Sequence, residues 1–470
     1  MPVRGADRPN ILFLLTDDQR HDTIAALGND QIRTPHLDRL VASGVAFRKA
    51  YIMGSSSPQV GSASRASLLS GRTLWNLASQ GDRGFEIPDK FPTLPQVFRE
   101  NGYVTFATGK NYPGRDGAFA RSFSSGDKIL FREIYSQDRL PLHNFAFSGQ
   151  YPRSGAVMHE GRHSAEVYAE ACIRFLASRI GKDEPFFAYI AFQTPHDPRK
   201  APAPYRVIYE DEKMKLPSSF VPEHPFDNGM LKARDEMLAP FPRTEEVARK
   251  HLADYYATIS HTDAQIGRIV AALEQNGQRE ETIIVFTSDN GLALGSHGLM
   301  GKQNLYEHSL RIPLVMAGPG IPAGQKRNQL CYLGDLYPTL CERARLEVPA
   351  TVQFQSLNPV LASAQRKHRE HLSFAFMSWQ RSVRDQRYKL IEYCVEGARH
   401  TQLFDLRKDP EETNNLAGDP AQAGTVARMR RLLEEERLHL NDGNSESPSA
   451  DRQGKAFWTA YEKAAATTTP

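Results

Sequence analysis

Short apolar runs alternate along the chain with segments whose apolar residues recur every three or four positions. Residues 11–15 form a continuous apolar run that ends in polar Thr16, which predicts a buried parallel strand opening into a loop. Leu37, Leu40 and Val41 have the spacing of one helix face. Further helix and strand pairs are predicted, in order, over residues 92–100 and 103–106, 164–179 and 186–190, and 247–273 and 283–286. Repeated units of this kind predict a mostly parallel sheet with helices on both faces and functional sites at the carboxyl ends of its strands.

Two later stretches depart from this alternation. Residues 199–245 are rich in proline and charge, so we expect a long surface excursion that shapes a substrate cleft. Further on, short strand-like pieces at residues 387–391 and 402–405 are followed by a helix pattern. We therefore predict two domains, a large α/β unit over residues 1–360 and a smaller C-terminal α+β subdomain with an antiparallel sheet over residues 361–470.

The last part of the chain combines a polar stretch with aromatic residues. Residues 441–454 are polar, so we expect them to be loosely ordered. Phe457, Trp458 and Tyr461 follow, and we expect these rings to pack back onto the body of the protein.

Composition narrows the classes of protein that fit. The chain has 470 residues, a length that predicts two or three domains. Its 58 basic and 55 acidic residues leave a formal charge of +3, which excludes a chain-wide nucleic-acid surface. The four cysteines form no CxxC pair, so neither a disulfide framework nor a zinc module is predicted. No early apolar run approaches the roughly 18 residues of a membrane span. Residues 1–10 lack the apolar core of a signal peptide, so we expect a cytoplasmic chain by default, or a periplasmic or secreted one if a signal was removed.

Oxygen-bearing side chains follow two of the predicted strands. Asp17 and Asp18 come directly after the first apolar run, and Asp289 and Asn290 come after the strand predicted over residues 283–286. An isolated pair of this kind is ordinarily a solvated loop or a helix cap. Two parallel strands ending in such pairs would bring four hard oxygen ligands to one sheet edge, and Ca²⁺ and Mg²⁺ prefer that ligand type.

A serine-rich segment runs from Gly61 to Arg72 and enters a predicted helix. Helix N-termini bind anions through free N–H groups, and the guanidinium groups of Arg65 and Arg72 suit a tetrahedral oxyanion. A capped surface helix would have the same pattern.

Six motifs occur in a characteristic order: Asp17-Asp18, Ser64-Arg65-Ala66-Ser67-Leu68-Leu69-Ser70-Gly71-Arg72, Gly109-Lys110, Thr194-Pro195-His196, Asp289-Asn290-Gly291 and Gly301-Lys302. In order and context they resemble the formylglycine-dependent sulfatases of the alkaline-phosphatase superfamily. The resemblance covers roughly residues 8–420. Within the family, residues 91–114 and 194–202 look most like the iduronate-2-sulfatase branch.

The resemblance implies an alkaline-phosphatase-like fold, with a large, mixed, mostly parallel sheet between helices. It also implies one bound Ca²⁺, or alternatively Mg²⁺, with four ligands: Asp17, Asp18, Asp289 and Asn290. In the same way, Arg65 would steady the nucleophile, Lys110 and Lys302 would bind sulfate oxygens, and His196 would bind or protonate the leaving oxygen.

The position of the family's nucleophile holds a glycine in this chain. The resemblance implies a formylglycine four residues before Arg65, made from Cys or Ser by a formylglycine-generating or an anaerobic sulfatase-maturing enzyme. That position is Gly61, which has no side-chain oxygen. Three explanations are open: an engineered inactivation, a modified residue rendered as an ordinary amino acid, or a natural non-catalytic relative. The retained lysines and His196 favour the first two, with an underlying cysteine.

A second departure from the family is Tyr112, which stands where the family usually has a histidine two residues after the lysine. A tyrosine donates a hydrogen bond but is not a cation near neutral pH, so we expect Tyr112 to position the nucleophile with different electrostatics. His159, His163 and His297 are candidates to take the place of that histidine, and of these only His297 lies near a motif, five residues before Lys302.

Sulfated sugars carry further sulfates or carboxylates, which arginine recognises in a bidentate manner. The candidate substrate-binding residues are Arg20, Arg115, Arg199, Arg381 and Arg384, together with His297. The sequence thus predicts a sulfuric ester hydrolase acting on a sulfated carbohydrate, such as a uronic-acid-containing glycan, with no nucleic-acid partner and no specified oligomeric state. Two alternatives stay open, a phosphodiesterase or phosphonate monoester hydrolase of the same superfamily and a non-catalytic protein that binds sulfated glycans.

Overall fold

A computed structural model describes residues 8–79, 85–111, 116–131, 136–146 and 156–467. The strands in these ranges are β1 (Asn10–Asp17), β2 (Gly44–Phe47), β3 (Ala50–Tyr51), β4 (Gly54–Ser55), β5 (Ala78–Ser79), β6 (Phe85–Glu86), β7 (Val104–Lys110), β8 (Ser125–Leu130), β9 (Arg139–Ala146), β10 (Val157–Glu160), β11 (Phe186–Pro195), β12 (Thr282–Ser288), β13 (Arg311–Ile312), β14 (Leu314–Ala317), β15 (Gln325–Arg327), β16 (Cys331–Tyr332), β17 (Leu372–Phe376), β18 (Gln380–Arg384), β19 (Tyr388–Val395) and β20 (Ala398–Asp405). The α-helices are α1 (Pro35–Ala42), α2 (Val60–Ser70), α3 (Leu94–Glu100), α4 (Asp116–Ser122), α5 (Ser164–Ser178), α6 (Ala203–Arg206), α7 (Glu245–Gln275), α8 (Glu307–Leu310), α9 (Leu336–Arg343), α10 (Asn358–Ala362), α11 (Ala423–His439) and α12 (Pro448–Thr467).

A ten-stranded sheet forms the centre of the described chain, in the order β10-β9-β8-β7-β11-β1-β12-β14-β2-β15. Its five central strands are β8, β7, β11, β1 and β12, and they run parallel. Strands β14 and β9 each pair antiparallel with both of their neighbours. The sheet is therefore mixed and mostly parallel at its centre, which confirms the predicted fold class.

The register of the central strands brings their carboxyl ends together. Thr16 of β1 lies opposite Ser288 of β12, so the residues that follow each strand emerge side by side. On the other side of β1, Asp17 lies opposite Pro195 of β11. One strand further, Ala191 of β11 lies opposite Gly109 of β7. Segments that are far apart in sequence thus end at one edge of the sheet.

Alternate side chains of β1 pack into cores on opposite faces of the sheet. Phe13 belongs to a core that includes residues of α2, α3 and α9, whereas Leu12 and Leu14 belong to a core with α1, α5 and α7. Both faces of the strand are buried, which explains why β1 is a continuous apolar run. The helix and strand pairs predicted from the sequence pattern are present, with α7 as the longest helix.

The C-terminal part forms a second sheet, in the order β20-β19-β18-β17-β4. Strands β17 to β20 pair antiparallel, as predicted, and β4 from the N-terminal part joins them by pairing parallel with β17. The division of the chain at residue 360 stays a prediction.

The end of the chain is more ordered than the sequence indicates. The expectation of a loose segment over residues 441–454 is wrong in part, because α12 begins at Pro448. Phe457 and Trp458 are buried in a core with α11 and the second sheet, which confirms that these rings pack back onto the body. All four cysteines are buried and free. Among the helices of the described ranges, none is both long and apolar enough to cross a membrane.

Candidate active site

The predicted oxygen ligands meet at the carboxyl ends of β1 and β12. Asp18 has a left-handed backbone with φ of 69°, and its backbone N–H donates to Oδ1 of Asp289 at 3.1 Å. The side-chain Nδ2 of Asn290 donates to Oδ1 of Asp18 at 2.7 Å. Asp17, like these three residues, is almost completely buried. The structure therefore brings together all four residues that the sequence predicts as metal ligands.

Three cations neutralise this carboxylate cluster. The Nε of Arg65 donates to Oδ2 of Asp289 at 2.7 Å, and another guanidinium nitrogen lies 3.3 Å from Oδ2 of Asp17. Lys110 donates to Asp17 and Lys302 donates to Asp18, each at 2.5 Å. Buried carboxylates that lie close together need cationic partners, because an unpaired charge away from water is costly.

Burial and neighbouring charges together set the pKa values of the cluster. Burial would raise the pKa of Asp17, but Lys110 and Arg65 outweigh it and hold that pKa far below its usual range. Burial, with the charge of Asp17, raises the pKa of Asp289 to about 6. Burial would lower the pKa of Lys302, yet Asp18 and Asp235 raise it above its ordinary value. Lys302 is therefore a fixed cation at neutral pH.

The cluster contains side chains that are able to hold a metal ion. Ligand atoms of Asp17, Asp18 and His196 lie within 4.8 Å of one another. The side-chain oxygen of Asn290 is buried and accepts no hydrogen bond within the described residues, so it is an available ligand. Carboxylate and amide oxygens of this kind suit Ca²⁺ and Mg²⁺.

Helix α2 presents position 61 to the same cluster. The helix begins at Val60, so Gly61 lies in its first turn. A Cβ added to Gly61 would lie 2.6 Å from Oδ2 of Asp289 and 3.1 Å from the side-chain oxygen of Asn290. The hydroxyl of Ser64 donates to the backbone carbonyl of Asp289 at 2.5 Å and ties the helix to the strand end. Any side chain at position 61 would therefore point into the carboxylate cluster.

His196 follows β11 and faces the cluster with one ring nitrogen. Its Nε2 lies 3.8 Å from Oδ2 of Asp18, and its Nδ1 is hydrogen-bonded to the backbone carbonyl of Asp197 at 2.8 Å. A carbonyl only accepts, so Nδ1 carries a proton and Nε2 is left to hold or release one at the cluster. The Asp197 side chain lies 3.4 Å from Nδ1 and is held by both terminal nitrogens of Arg234.

These groups open into a cleft of about 360 Å³. Its walls include Gly61, Lys110, His196 and Lys302, together with Met230, Ala233 and Arg234 from the proline-rich excursion. The expectation that the excursion helps to shape a cleft is confirmed at these residues.

Several predicted substrate-binding residues are committed to other contacts. Arg381 forms a buried ion pair with Asp442, and Arg384 contacts Tyr51 and Glu307 inside the protein. Neither residue lines the cleft among the described residues, so the structure corrects both predictions. Their guanidinium groups stabilise the packing of the second sheet against the rest of the chain.

Three further predictions are corrected in the same way. Arg20 donates to Asp22 and to the backbone carbonyls of Leu292 and Ala293, so it fixes the loop after β12. His297 stacks on a tyrosine with ring centroids 3.9 Å apart, and burial lowers its pKa to about 4. Arg199 lies 3.2 Å from a histidine ring nitrogen and does not line the cleft.

Tyr112 and Arg115 lie outside the described residues, so their predicted roles stay predictions. The structure also shows residues near the site that sequence reasoning missed: Asp197, Arg234, Asp235 and Gln303. Asp197 directly follows His196, which is a usable signal. Arg234 and Asp235 lie in the excursion, where no motif marks them.

The fold and the site define an alkaline-phosphatase-like hydrolase. The family model described as "Sulfatase" matches residues 9–346, and the model "N-sulphoglucosamine sulphohydrolase, C-terminal" matches residues 295–439. The chain belongs to the sulfatase family of sulfuric ester hydrolases, as its sequence motifs predict.

Two relatives with sulfatase names match most of the chain, and a solved phosphonate monoester hydrolase has a similar fold. The chain is 27% identical to iduronate 2-sulfatase of Mus musculus, over 95% of this chain and 81% of that protein. It is 25% identical to N-acetylglucosamine-6-O-sulfatase of Bacteroides thetaiotaomicron, over 93% of this chain and 88% of that protein. The phosphonate monoester hydrolase structure from Silicibacter pomeroyi superimposes with a TM-score of 0.71 at 25% identity, over 92% of this chain and 96% of that chain.

Proposed function

We propose that the cleft binds the sulfate ester of a sulfated carbohydrate and that hydrolysis by the formylglycine route depends on the residue at position 61. The observation that carries the proposal is the convergence of Lys110, Lys302 and His196 on one buried carboxylate cluster beside Gly61. A sulfate ester spreads its negative charge over several oxygens, and charged N–H donors stabilise such groups strongly.

A Ca²⁺ ion, or Mg²⁺, would be held by Asp17, Asp18, Asp289 and Asn290. When bound, it supplies positive charge that polarises a sulfate oxygen and stabilises charge in the transition state. Lys110 and Lys302 donate hydrogen bonds to the sulfate oxygens. His196 holds or delivers a proton at Nε2 on the side of the leaving oxygen, and Asp197 orients the ring.

The formylglycine route does not fit the chain while position 61 is glycine, because glycine has no Cβ from which an aldehyde can be made. The chain with Gly61 therefore binds sulfate esters without turning them over by this route. Arg65, Lys110 and Lys302 are retained around this position, which supports a cysteine there in an active form and a maturing enzyme as its partner.

The names of the relatives support a sulfated carbohydrate as the substrate class. An iduronate 2-sulfatase and an N-acetylglucosamine-6-O-sulfatase both match the chain over more than nine tenths of its length. The first of these names also supports a uronic-acid-containing glycan.

The test compares Gly61→Cys, co-expressed with a formylglycine-generating enzyme, with the Gly61 chain. We expect the matured Gly61→Cys variant to release sulfate from glucosamine 6-sulfate and from 4-nitrophenyl sulfate, and the Gly61 chain to bind these esters without release. Gly61→Ala, expressed in the same way, is the matched control, because alanine adds the same Cβ without a thiol to oxidise. Mass spectrometry of the peptide that contains position 61 reports the maturation.

A phosphonate monoester hydrolase is the second candidate function, favoured by the superposition on the Silicibacter pomeroyi structure. The same variants are therefore assayed with phenyl phosphonate esters and phosphodiesters. A matured Gly61→Cys variant that cleaves phosphonate esters and no sulfate ester would refute the sulfatase proposal.

A further inference from the structure

A second cleft, of about 510 Å³, is lined mainly by basic and amide side chains. It shares no lining residue with the candidate active site among the described residues. Its basic members are Lys326, Arg366, Lys367, His368 and Arg369. We call these five residues and the space between them the basic cleft.

The basic cleft contains a continuous polar run, Gln365-Arg366-Lys367-His368-Arg369-Glu370. Short runs rich in lysine and arginine are typical of surfaces that bind nucleic acids or heparin-like polyanions. The run belongs to none of the motifs described above, and its charge is hidden in a chain with a net charge of only +3.

The backbone of the run is held in place by its neighbours. The Nε2 of Gln329 donates to the carbonyls of Ala364 and Arg366, at 2.7 and 2.9 Å. Leu330 and Arg369 form an antiparallel bridge. A binding surface that is ordered before the ligand arrives loses less conformational entropy on binding.

The charges within the run divide into two groups. His368 and Arg369 are paired with the buried Asp335, so they anchor the run. Arg366 is exposed and has no ion pair or side-chain hydrogen bond within the described part of the chain. Lys367 is also exposed, and its ion pair among the described residues is with the exposed Glu370 at 3.6 Å, where such a pair is weak. Lys326 is exposed as well, and its Nζ donates a long hydrogen bond, at 3.4 Å, to the carbonyl of Ala26. Three cations are therefore available to a ligand.

The basic cleft lies at the same edge of the main sheet as the candidate active site. Strand β15 pairs parallel with β2, and β2 is antiparallel to β14, which is itself antiparallel to β12. The carboxyl end of β15, where the cleft begins, therefore points in the same direction as that of β12. Three strand spacings separate β15 from β12, about 14 Å across the sheet.

We propose that the basic cleft binds a sulfated polysaccharide chain, through the sulfate groups of sugar units beyond the one held in the active site. The choice of a sulfated glycan over another polyanion rests on the proposed function. The ligand and the cleft match in charge. The polysaccharide carries regularly spaced sulfates, and the cleft has cations on an ordered loop at the same edge of the sheet as the active site. The site would favour polymers over single sugars.

The test uses the double variant Arg366→Ser/Lys367→Ser in the Gly61 chain. Its matched control is Lys182→Ser/Arg431→Ser, which removes the same net charge from exposed residues outside both clefts. Binding of fluorescein-labelled heparin is measured by anisotropy over a series of salt concentrations, with glucosamine 6-sulfate, hyaluronan and oligodeoxythymidine as competing ligands.

We expect the double variant to weaken heparin binding about tenfold and to reduce the salt slope of the binding constant by about two, one for each cation removed. The control pair should leave both values nearly unchanged. The proposal would be overturned if the double variant lost no heparin affinity, or if it and the control lost equal affinity. Competition by oligodeoxythymidine as strong as by unlabelled heparin would also overturn it.

Binding of glucosamine 6-sulfate separates this proposal from the proposed function. A single sugar reports on the active-site cleft alone, so its affinity should be the same in the double variant and in the Gly61 chain. Loss of heparin binding with unchanged monosaccharide binding supports the basic cleft. A chain that binds no monosaccharide sulfate but still binds heparin through Arg366 and Lys367 would refute the active-site proposal and leave the basic cleft standing.

Discussion

Lys302 is the most deeply buried ammonium group in the described part of the cleft, and Asp18 and Asp235 hold it in the charged state. Hydrogen bonds to charged groups contribute about 1.5–3 kcal/mol. We therefore expect Lys302→Met to weaken the binding of glucosamine 6-sulfate by about ten- to a hundredfold, as measured by isothermal titration calorimetry.

The control is Lys182→Met, which removes an exposed lysine outside the cleft. Circular dichroism of both variants checks that the fold is retained. An affinity for the sulfate ester that is equal in Lys302→Met and in the control would contradict the assigned role.

The raised pKa of Asp289 predicts how cation binding depends on pH. Burial and the charge of Asp17 raise this pKa to about 6, and a carboxylate must lose its proton to bind a metal ion. Below pH 6 protons therefore compete with Ca²⁺, and we expect the affinity to fall by up to about tenfold per pH unit. Above pH 6 it should be nearly level, because Asp17 stays ionised throughout.

Calorimetric titration with calcium chloride from about pH 5 to pH 8 measures this dependence. In Asp289→Asn the affinity should be lower and almost independent of pH, since the titrating group is gone. A flat profile in the unmodified chain would show that Asp289 is not a ligand.

At the residue level, the sequence predicts the site better than it predicts the subsites. Asp17, Asp289 and Lys110 stand in motifs at strand ends and Lys302 in a motif of the loop after β12, and the structure brings them together. An arginine in a sequence gives no sign of whether it faces a cleft or a buried partner. Arg381 is paired with Asp442, a contact that no local pattern indicates.

Strand β7 positions Lys110 through an irregularity at Gly109. Its pairing with β8 shifts register next to this residue, and Gly109 has φ of 90°. A Cβ at this position would lie 2.0 Å from the backbone carbonyl of Ala191 on β11. We expect Gly109→Ala to lower the free energy of unfolding by about 3 kcal/mol or more, and to weaken sulfate binding by displacing Lys110.

Gly117→Ala is the matched control for this substitution. Gly117 lies in helix α4, and a Cβ there would meet no atom of the described residues within 4 Å. Since alanine favours a helix over glycine by about 0.5–1 kcal/mol, this variant should be slightly stabilised. Guanidinium unfolding measures both variants, and equal stability of Gly109→Ala and the unmodified chain would contradict the prediction.

Elements with a strong local pattern are predictable, and elements that depend on distant partners are not. β1 and β12 are apolar runs buried on both faces, so the sequence pattern indicates them closely. β4 has only two residues and exists because it pairs with Ala375 and Phe376 far along the chain. The polar start of α12 is helical because the following rings are buried against the second sheet.

For the whole molecule, the near-zero net charge conceals two separate groups of cations. One lies around the carboxylate cluster of the active site, and the other forms the basic cleft at the same edge of the main sheet. A sulfated polymer can contact both groups of cations, whereas a small sulfate ester can contact only the group around the active site. Neither group can be located from composition, because both depend on how the strands are ordered in the sheet.

The most direct test of the central claim is a crystal structure of the Gly61 chain with CaCl₂ and glucosamine 6-sulfate. We predict the sulfate group in the active-site cleft, with its oxygens in hydrogen-bond contact with Lys110 and Lys302 and its ester oxygen facing His196. The map should also show position 61 without a side chain. A sulfate group bound outside this cleft, or no bound sulfate at saturating ligand, would contradict the account.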